Sequence, residues 1–173
     1  MKIERRRPSN PIIEKIDFTN IILIPGRFNR QKSVSEFLNA LDSNREQKFL
    51  IAGKVDGEVL DVLIERDNIY IIDEFLPNEE LLYLIEKSKF IYCYYPLEFD
   101  RPSGFFGRAL QFNNIALVRA NSYLSREFDF MPNVVSLTSL FSIRSQIINN
   151  AKSLKEGIAL DSSIELKSIL LDV

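Results

Sequence analysis

The sequence predicts an α/β fold, with a doubly wound parallel sheet of about six strands in a three-layer α/β/α arrangement. Three observations carry that prediction. Short β-branched or aromatic runs alternate with longer segments of helical period, as successive βαβ units require. Turns at Gly26, Gly53 and Ser103 all follow apolar runs, and so fall at the carboxyl edge of such a sheet, where ligands gather. The 173 residues, 46% of them hydrophobic, can bury one core and make one domain.

Residues 1–19 read as an N-terminal tail or linker, because the basic block Arg5-Arg6-Arg7 is followed at once by Pro8; the domain then spans 20–173. Ile21 to Ile24, preceded by Asn20, is the first strand. Ser33 with Glu36 three residues on has the form of a capping box, and Val34, Phe37, Leu38 and Leu41 make one apolar helix face. Lys48 to Ala52 is the second strand, and Val59, Leu60, Leu63 and Ile64 form the buried stripe of the next helix. Asn68 to Ile72 is the third strand. Asn78 then caps a helix whose first turn holds Glu79 and Glu80, with Leu81, Leu82 and Ile85 facing inward. Lys89 to Tyr95 is the fourth strand, Pro96 to Pro102 a loop, and Ser103 to Phe112 a helix. Ile115 to Val118 and Val134 to Leu137 are the fifth and sixth strands, with helices over Leu140 to Leu154 and Ile164 to Leu171.

Composition excludes several function classes. A net charge of -2 argues against a general nucleic-acid binder. The absence of histidine removes Ser-His-Asp and Cys-His catalysis and the commonest zinc ligand. The single cysteine, Cys93, lies in an apolar run and reads as a buried strand residue. No apolar stretch reaches the roughly 20 residues needed to span a bilayer, and a cytoplasmic protein without a transmembrane segment is expected.

Pro25-Gly26-Arg27-Phe28-Asn29-Arg30-Gln31-Lys32 is the most informative stretch. A strand delivers the chain to a Gly-containing bend, and Arg27 and Lys32 follow as the next helix begins, an arrangement suited to an anionic ligand. Arg27 offers a planar fork for phosphate, Lys32 a point charge, and Ser103-Gly104-Phe105 free N–H groups at a helix N-terminus. Together they can hold the negative charge of a phosphate without a metal or other cofactor. Phe105, Phe106 and Phe112 are spaced as core.

From Ile21 to Val118 the order of motifs resembles the C-terminal, donor-binding, Rossmann-like domain of GT-B glycosyltransferases of the family 4, or group 1, type. Gly26-Arg27 followed by Lys32-Ser33, the Leu50-Ile51-Ala52-Gly53 strand end, and Asn68 to Ile71 leading to Asp73-Glu74-Phe75-Leu76 carry the resemblance. It implies that Arg27 and Lys32 are the catalytic cations. It also implies that Gly26, Gly53, Phe75, Leu76, Ser103, Gly104, Phe105 and Gln111 bind the donor nucleotide and its diphosphate. The family's Glu-Gly-x-Gly turn and its second glutamate are replaced by Ser103 and Gln111, with Glu98 or Asp100 available as a displaced carboxylate. The expected reaction is metal-independent transfer of a sugar from a nucleotide-diphosphate sugar to an acceptor hydroxyl, with an N-terminal Rossmann-like domain or partner subunit supplying the acceptor site. A non-catalytic nucleotide-binding or scaffold domain of the same fold is the alternative. A receiver-like signalling domain ranks last, because Pro25-Gly26-Arg27 stands where that class needs acids.

Overall fold

The computed structural model describes residues 7, 9–18, 20–99 and 101–149. Arg5, Arg6, Asp100, the last residues of the helix expected from Leu140, and the expected helix from Ile164 to Leu171 lie outside the described residues. Six strands, β1 (Ile21–Pro25), β2 (Lys48–Ala52), β3 (Ile69–Ile72), β4 (Phe90–Cys93), β5 (Ile115–Arg119) and β6 (Val134–Leu137), form one sheet of order β3-β2-β1-β4-β5-β6. Every pairing is parallel; Leu23 of β1 stands between Leu50 of β2 and Ile91 of β4. β1 is buried along its whole length, as a central strand covered on both faces must be.

The strand period of two divides the core into two layers. Ile22, Ile24, Phe49, Ile51 and Tyr92 face one side, where α1 (Val34–Ala40) contributes Val34 and Phe37 and α2 (Gly57–Leu63) contributes Leu63. Phe37 is the hub of this layer, meeting Phe28, Phe49 and Tyr92 edge to face at 5.4, 5.0 and 6.0 Å between ring centroids. Ile21, Leu23, Leu50, Ile91 and Cys93 face the other side, beneath α3 (Asn78–Lys87), α4 (Gly104–Gln111) and α5 (Tyr123–Phe128). The result is the three-layer α/β/α sandwich that the alternation of runs predicts. Among the described residues no helix is long and apolar enough to cross a membrane.

Several local expectations change. Ser33 does not cap α1 with its side chain: its φ is 54°, in the left-handed region, and its hydroxyl is taken by Arg119, as is the Glu36 carboxylate, so no capping box forms. Asn78 is the first residue of α3 and Pro77 the cap, consistent with the extended backbone that proline holds. Ile64, expected in the buried stripe of α2, follows its last turn and is 65% exposed. β4 ends at Cys93, so Tyr94 and Tyr95 lie beyond it. The helix expected from Leu140 starts as a 3-10 turn, Leu140–Ser142, and continues as helix over 143–149. α5, capped by the Ser122 hydroxyl on the Ser125 N–H, has no counterpart in the sequence reading. Nor has the 3-10 turn Pro11–Lys15: within the stretch read as tail or linker, Ile13 and Ile16 are buried in the second core layer.

Candidate functional site

Reversal of strand order between β1 and β4 opens a crevice at the carboxyl edge, because the two strands send their chains to opposite faces of the sheet. One wall comes from the β1–α1 connection, with Arg27, Asn29, Gln31 and Lys32; the other comes from the β4–α4 connection, with Tyr95, Phe99 and the segment Arg101 to Phe105. The cleft between them has a volume of about 580 Å³.

Two glycines set the first wall. Gly26 has φ 78°, and a Cβ there would lie 2.7 Å from the Phe105 ring. Gly53 has φ 150°, and a Cβ there would lie 2.3 Å from the Gly26 carbonyl oxygen. The turns after β1 and β2 thus pack backbone on backbone, and the parallel bridge between Phe28 and Val55 extends that contact. The bridge places Arg27 beside Asp56: Nη2 and Nε donate to one carboxylate oxygen at 3.0 and 3.3 Å. Arg27 keeps 59% of its side chain exposed, and the rest of its five N–H donors remain for other acceptors.

Lys32 is the opposite case. A 3-10 turn, Arg30–Lys32, is pinned by the Asn29 side chain accepting from the Gln31 N–H and by the Tyr92 hydroxyl donating to the Lys32 carbonyl at 2.9 Å. This turns the lysine inward, to 6% exposure. Its Nζ has no hydrogen-bond partner among the described residues; the Tyr95 and Phe105 rings lie 4.9 Å away, centroid to nitrogen. Burial lowers its pKa to about 8, with the nearby Cys93 thiol opposing the shift. The thiol itself is pushed up to about 12 by burial, so Cys93 is an inert core residue, as its sequence context predicts.

The second wall presents the N-terminus of α4. Ser103 caps it, its hydroxyl accepting from the Phe106 N–H at 3.5 Å and sharing a 2.7 Å hydrogen bond with the Tyr95 hydroxyl. The N–H groups of Gly104 and Phe105, in the first turn, have no partner within the helix and stand at the cleft beside Lys32.

Of the residues expected to bind a donor, the cleft brings together Arg27, Lys32, Ser103, Gly104 and Phe105. Gly26 and Gly53 support it from behind. Phe75 and Leu76 lie apart from its lining, Phe75 at 79% exposure and Leu76 against the second core layer. Gln111 is the exposed last residue of α4, about 10 Å along the axis from Gly104, and does not line the cleft.

Arg119 has no place in the sequence reading. At the end of β5 and 15% exposed, it donates to the Tyr95 carbonyl at 2.7 Å, the Ser33 hydroxyl at 3.0 Å and the Glu36 carboxylate at 2.6 Å, and stacks 4.1 Å from the Tyr94 ring centroid. It braces both walls of the cleft at once. An arginine at the end of an apolar strand was the available signal.

No family model and no curated protein matches the sequence. Solved structures do. The C-terminal domain of a glycosyl transferase group 1 family protein (LpcC) from Francisella tularensis is 14% identical at a TM-score of 0.56, over 91% of this chain and 90% of that one. S. aureus MnaA, solved with UDP, is 18% identical at 0.52, over 86% of this chain and 40% of its own. The catalytic domain of starch synthase IV from Arabidopsis thaliana, bound to ADP and acarbose, is 13% identical at 0.50, over 89% and 34%. The chain therefore spans well under half the length of the last two. At these identities the likeness is one of architecture: this chain has the Rossmann-like fold of the C-terminal domains of GT-B glycosyltransferases, as the order of its turns predicts.

Proposed function

We propose that this chain is the donor-nucleotide half of a glycosyltransferase, holding the diphosphate of a nucleotide-diphosphate sugar in the cleft between the β1–α1 and β4–α4 connections. One observation carries the reading: a buried lysine ammonium without a hydrogen-bond partner among the described residues stands beside the N-terminus of an eight-residue helix. A buried cation is costly unless an anion meets it, and the open N–H groups of α4 favour the same charge. The fold agrees with it, as do the nucleotides bound in two of the similar structures.

In the reaction, negative charge grows on the diphosphate as the sugar acquires oxocarbenium character. Lys32 supplies a fixed, buried charge, Arg27 a fork pre-oriented by Asp56, and Gly104 and Phe105 their backbone N–H groups. These groups can meet that charge without a metal. The acceptor hydroxyl and the opposing wall of the active site belong to a second Rossmann-like domain or subunit.

Titration of the chain with UDP, GDP, ADP and their sugars tests the reading. Binding that is lost in Lys32→Met and weakened in Arg27→Ala is expected, and binding by none of the nucleotides would sink it. Within the assembled enzyme, Arg27→Ala should slow transfer on the order of a hundredfold, about 3 kcal/mol. The alternative, a nucleotide-binding module without catalysis, is favoured by one observation: no carboxylate lines the cleft among the described residues. It predicts the same binding but no turnover when the acceptor domain is supplied.

A further inference from the structure

A diphosphate can pair with Lys32 only if it can reach it. In this structure it cannot: Lys32 Nζ is closed off from solvent, and no anion can touch it while its surroundings stay in place. The rings of Tyr95 and Phe105 stand against the ammonium, each with its centroid 4.9 Å from the nitrogen. An aromatic face attracts a cation, but more weakly than a hydrogen-bonded anion does. The rings therefore hold a place that a phosphate would take from them.

The two rings are not equally fixed. Tyr95 is held at both ends: its hydroxyl shares a 2.7 Å hydrogen bond with the Ser103 hydroxyl, and its carbonyl accepts from Arg119 at 2.7 Å. Phe105 has no polar atom on its side chain to anchor it, is half-buried, and lines the cleft. It is the second residue of α4, so no earlier helical turn stands behind it to forbid the rotamer that is excluded further along a helix. Its present position is built on Gly26. A Cβ there would lie 2.7 Å from the Phe105 ring, so the bare glycine is what lets the ring settle on the β1–α1 turn and cover the lysine at once.

We infer that Phe105 is a lid on the anion site: its ring covers Lys32 in the free chain and swings off as the diphosphate arrives, which then takes the ring's place against the ammonium. This rests on the nucleotide-diphosphate reading above and adds to it a positioning residue and the way the site opens. Rotation of one side chain is enough, and it leaves the backbone N–H groups of Gly104 and Phe105 where they stand. Apparent affinity is the affinity of the open form multiplied by the open fraction, so the lid weakens binding by keeping that fraction small.

Association kinetics separate a lid from a packing residue. Stopped-flow binding of the fluorescent methylanthraniloyl derivatives of UDP, GDP and ADP should be roughly tenfold faster in Phe105→Ala than in the parent for the accepted base, with dissociation changed much less. Phe105→Leu keeps an apolar side chain against the second core layer without a ring face; it should change in the same direction, and it guards against a folding defect in the smaller variant. The pH profile should move too. Water reaching the ammonium relieves the burial that holds its pKa at about 8, so the loss of affinity at high pH should begin about one unit higher in Phe105→Ala. Association rates and a pH profile unchanged from the parent overturn the lid and leave the nucleotide reading standing. So does weaker binding through faster dissociation alone, which would make the Phe105 ring a wall against the bound nucleotide. Absence of binding by every nucleotide, in parent and variants alike, overturns both readings.

Discussion

Lys32 sets function against stability. A folded pKa of about 8, below the ordinary 10.5, means that the unfolded chain holds the proton more tightly. Stability therefore rises with pH between about 8 and 10.5, and below pH 8 the full penalty, on the order of 3 kcal/mol, is present. Lys32→Met should accordingly raise the melting temperature at about pH 7 while abolishing nucleotide binding, with the gain narrowing by about pH 10. A Lys32→Met protein less stable than the parent at neutral pH would contradict this. Binding has the reverse slope. An anion draws a proton onto Lys32, so affinity should fall by up to about tenfold per pH unit above 8 in the parent and keep that slope in Arg27→Ala, which retains the lysine. Gly53 is a residue whose role differs from its reading. Its strained φ, and the 2.3 Å that would separate an added Cβ from the Gly26 carbonyl oxygen, make Gly53→Ala a backbone clash, expected to cost on the order of 3 kcal/mol in urea denaturation.

At the scale of elements, the cleft depends on how three of them end. α1 begins from a left-handed Ser33, a conformation that costs about 1 kcal/mol in a residue with a side chain. The Ser33 hydroxyl and Glu36 are instead tied to Arg119 at the end of β5, which also holds the Tyr95 carbonyl after β4. Arg119→Ala leaves those acceptors on a partly buried surface without their donor, and a loss of about 2 kcal/mol is expected by urea denaturation. Because the same arginine braces both walls, the variant should also weaken nucleotide binding, although Arg119 is absent from the cleft lining. Unchanged affinity for nucleotide in a destabilised Arg119→Ala would reduce it to a purely structural residue. α4 contributes in another way: its first turn meets Lys32 and Gly26 through Phe105, so the side chain that packs the helix also shields the ammonium.

For the whole molecule, the parallel order with its reversal at β1 and β4 puts all three cations of the cleft at one edge. That edge is also where Phe75 and Leu97, exposed after β3 and β4, leave apolar surface. The chain alone is expected to bind nucleotide without transferring sugar, and turnover should appear only when a second Rossmann-like domain is supplied, measured as release of nucleoside diphosphate. Hydrolysis or transfer by the chain by itself would refute the split.

Periodicity and turn chemistry made the six strands and the helices covering β1 to β5 legible, since each is encoded within a window of a few residues. Gly26, Arg27, Lys32 and the Ser103 turn were legible for the same reason, as local punctuation after apolar runs. α5 and the buried Pro11–Lys15 turn were not, being too short to show a period. By itself the sequence determined the class of fold and the order of its turns. Only the tertiary structure decided that Lys32 is buried and unpartnered while Arg27 is paired and exposed, that Gly53 is a steric necessity, that Gln111 stands away from the cleft, and that Arg119 holds the walls together. Burial and pairing depend on residues distant in the chain, and no local pattern reports which of two similar cations will find a partner.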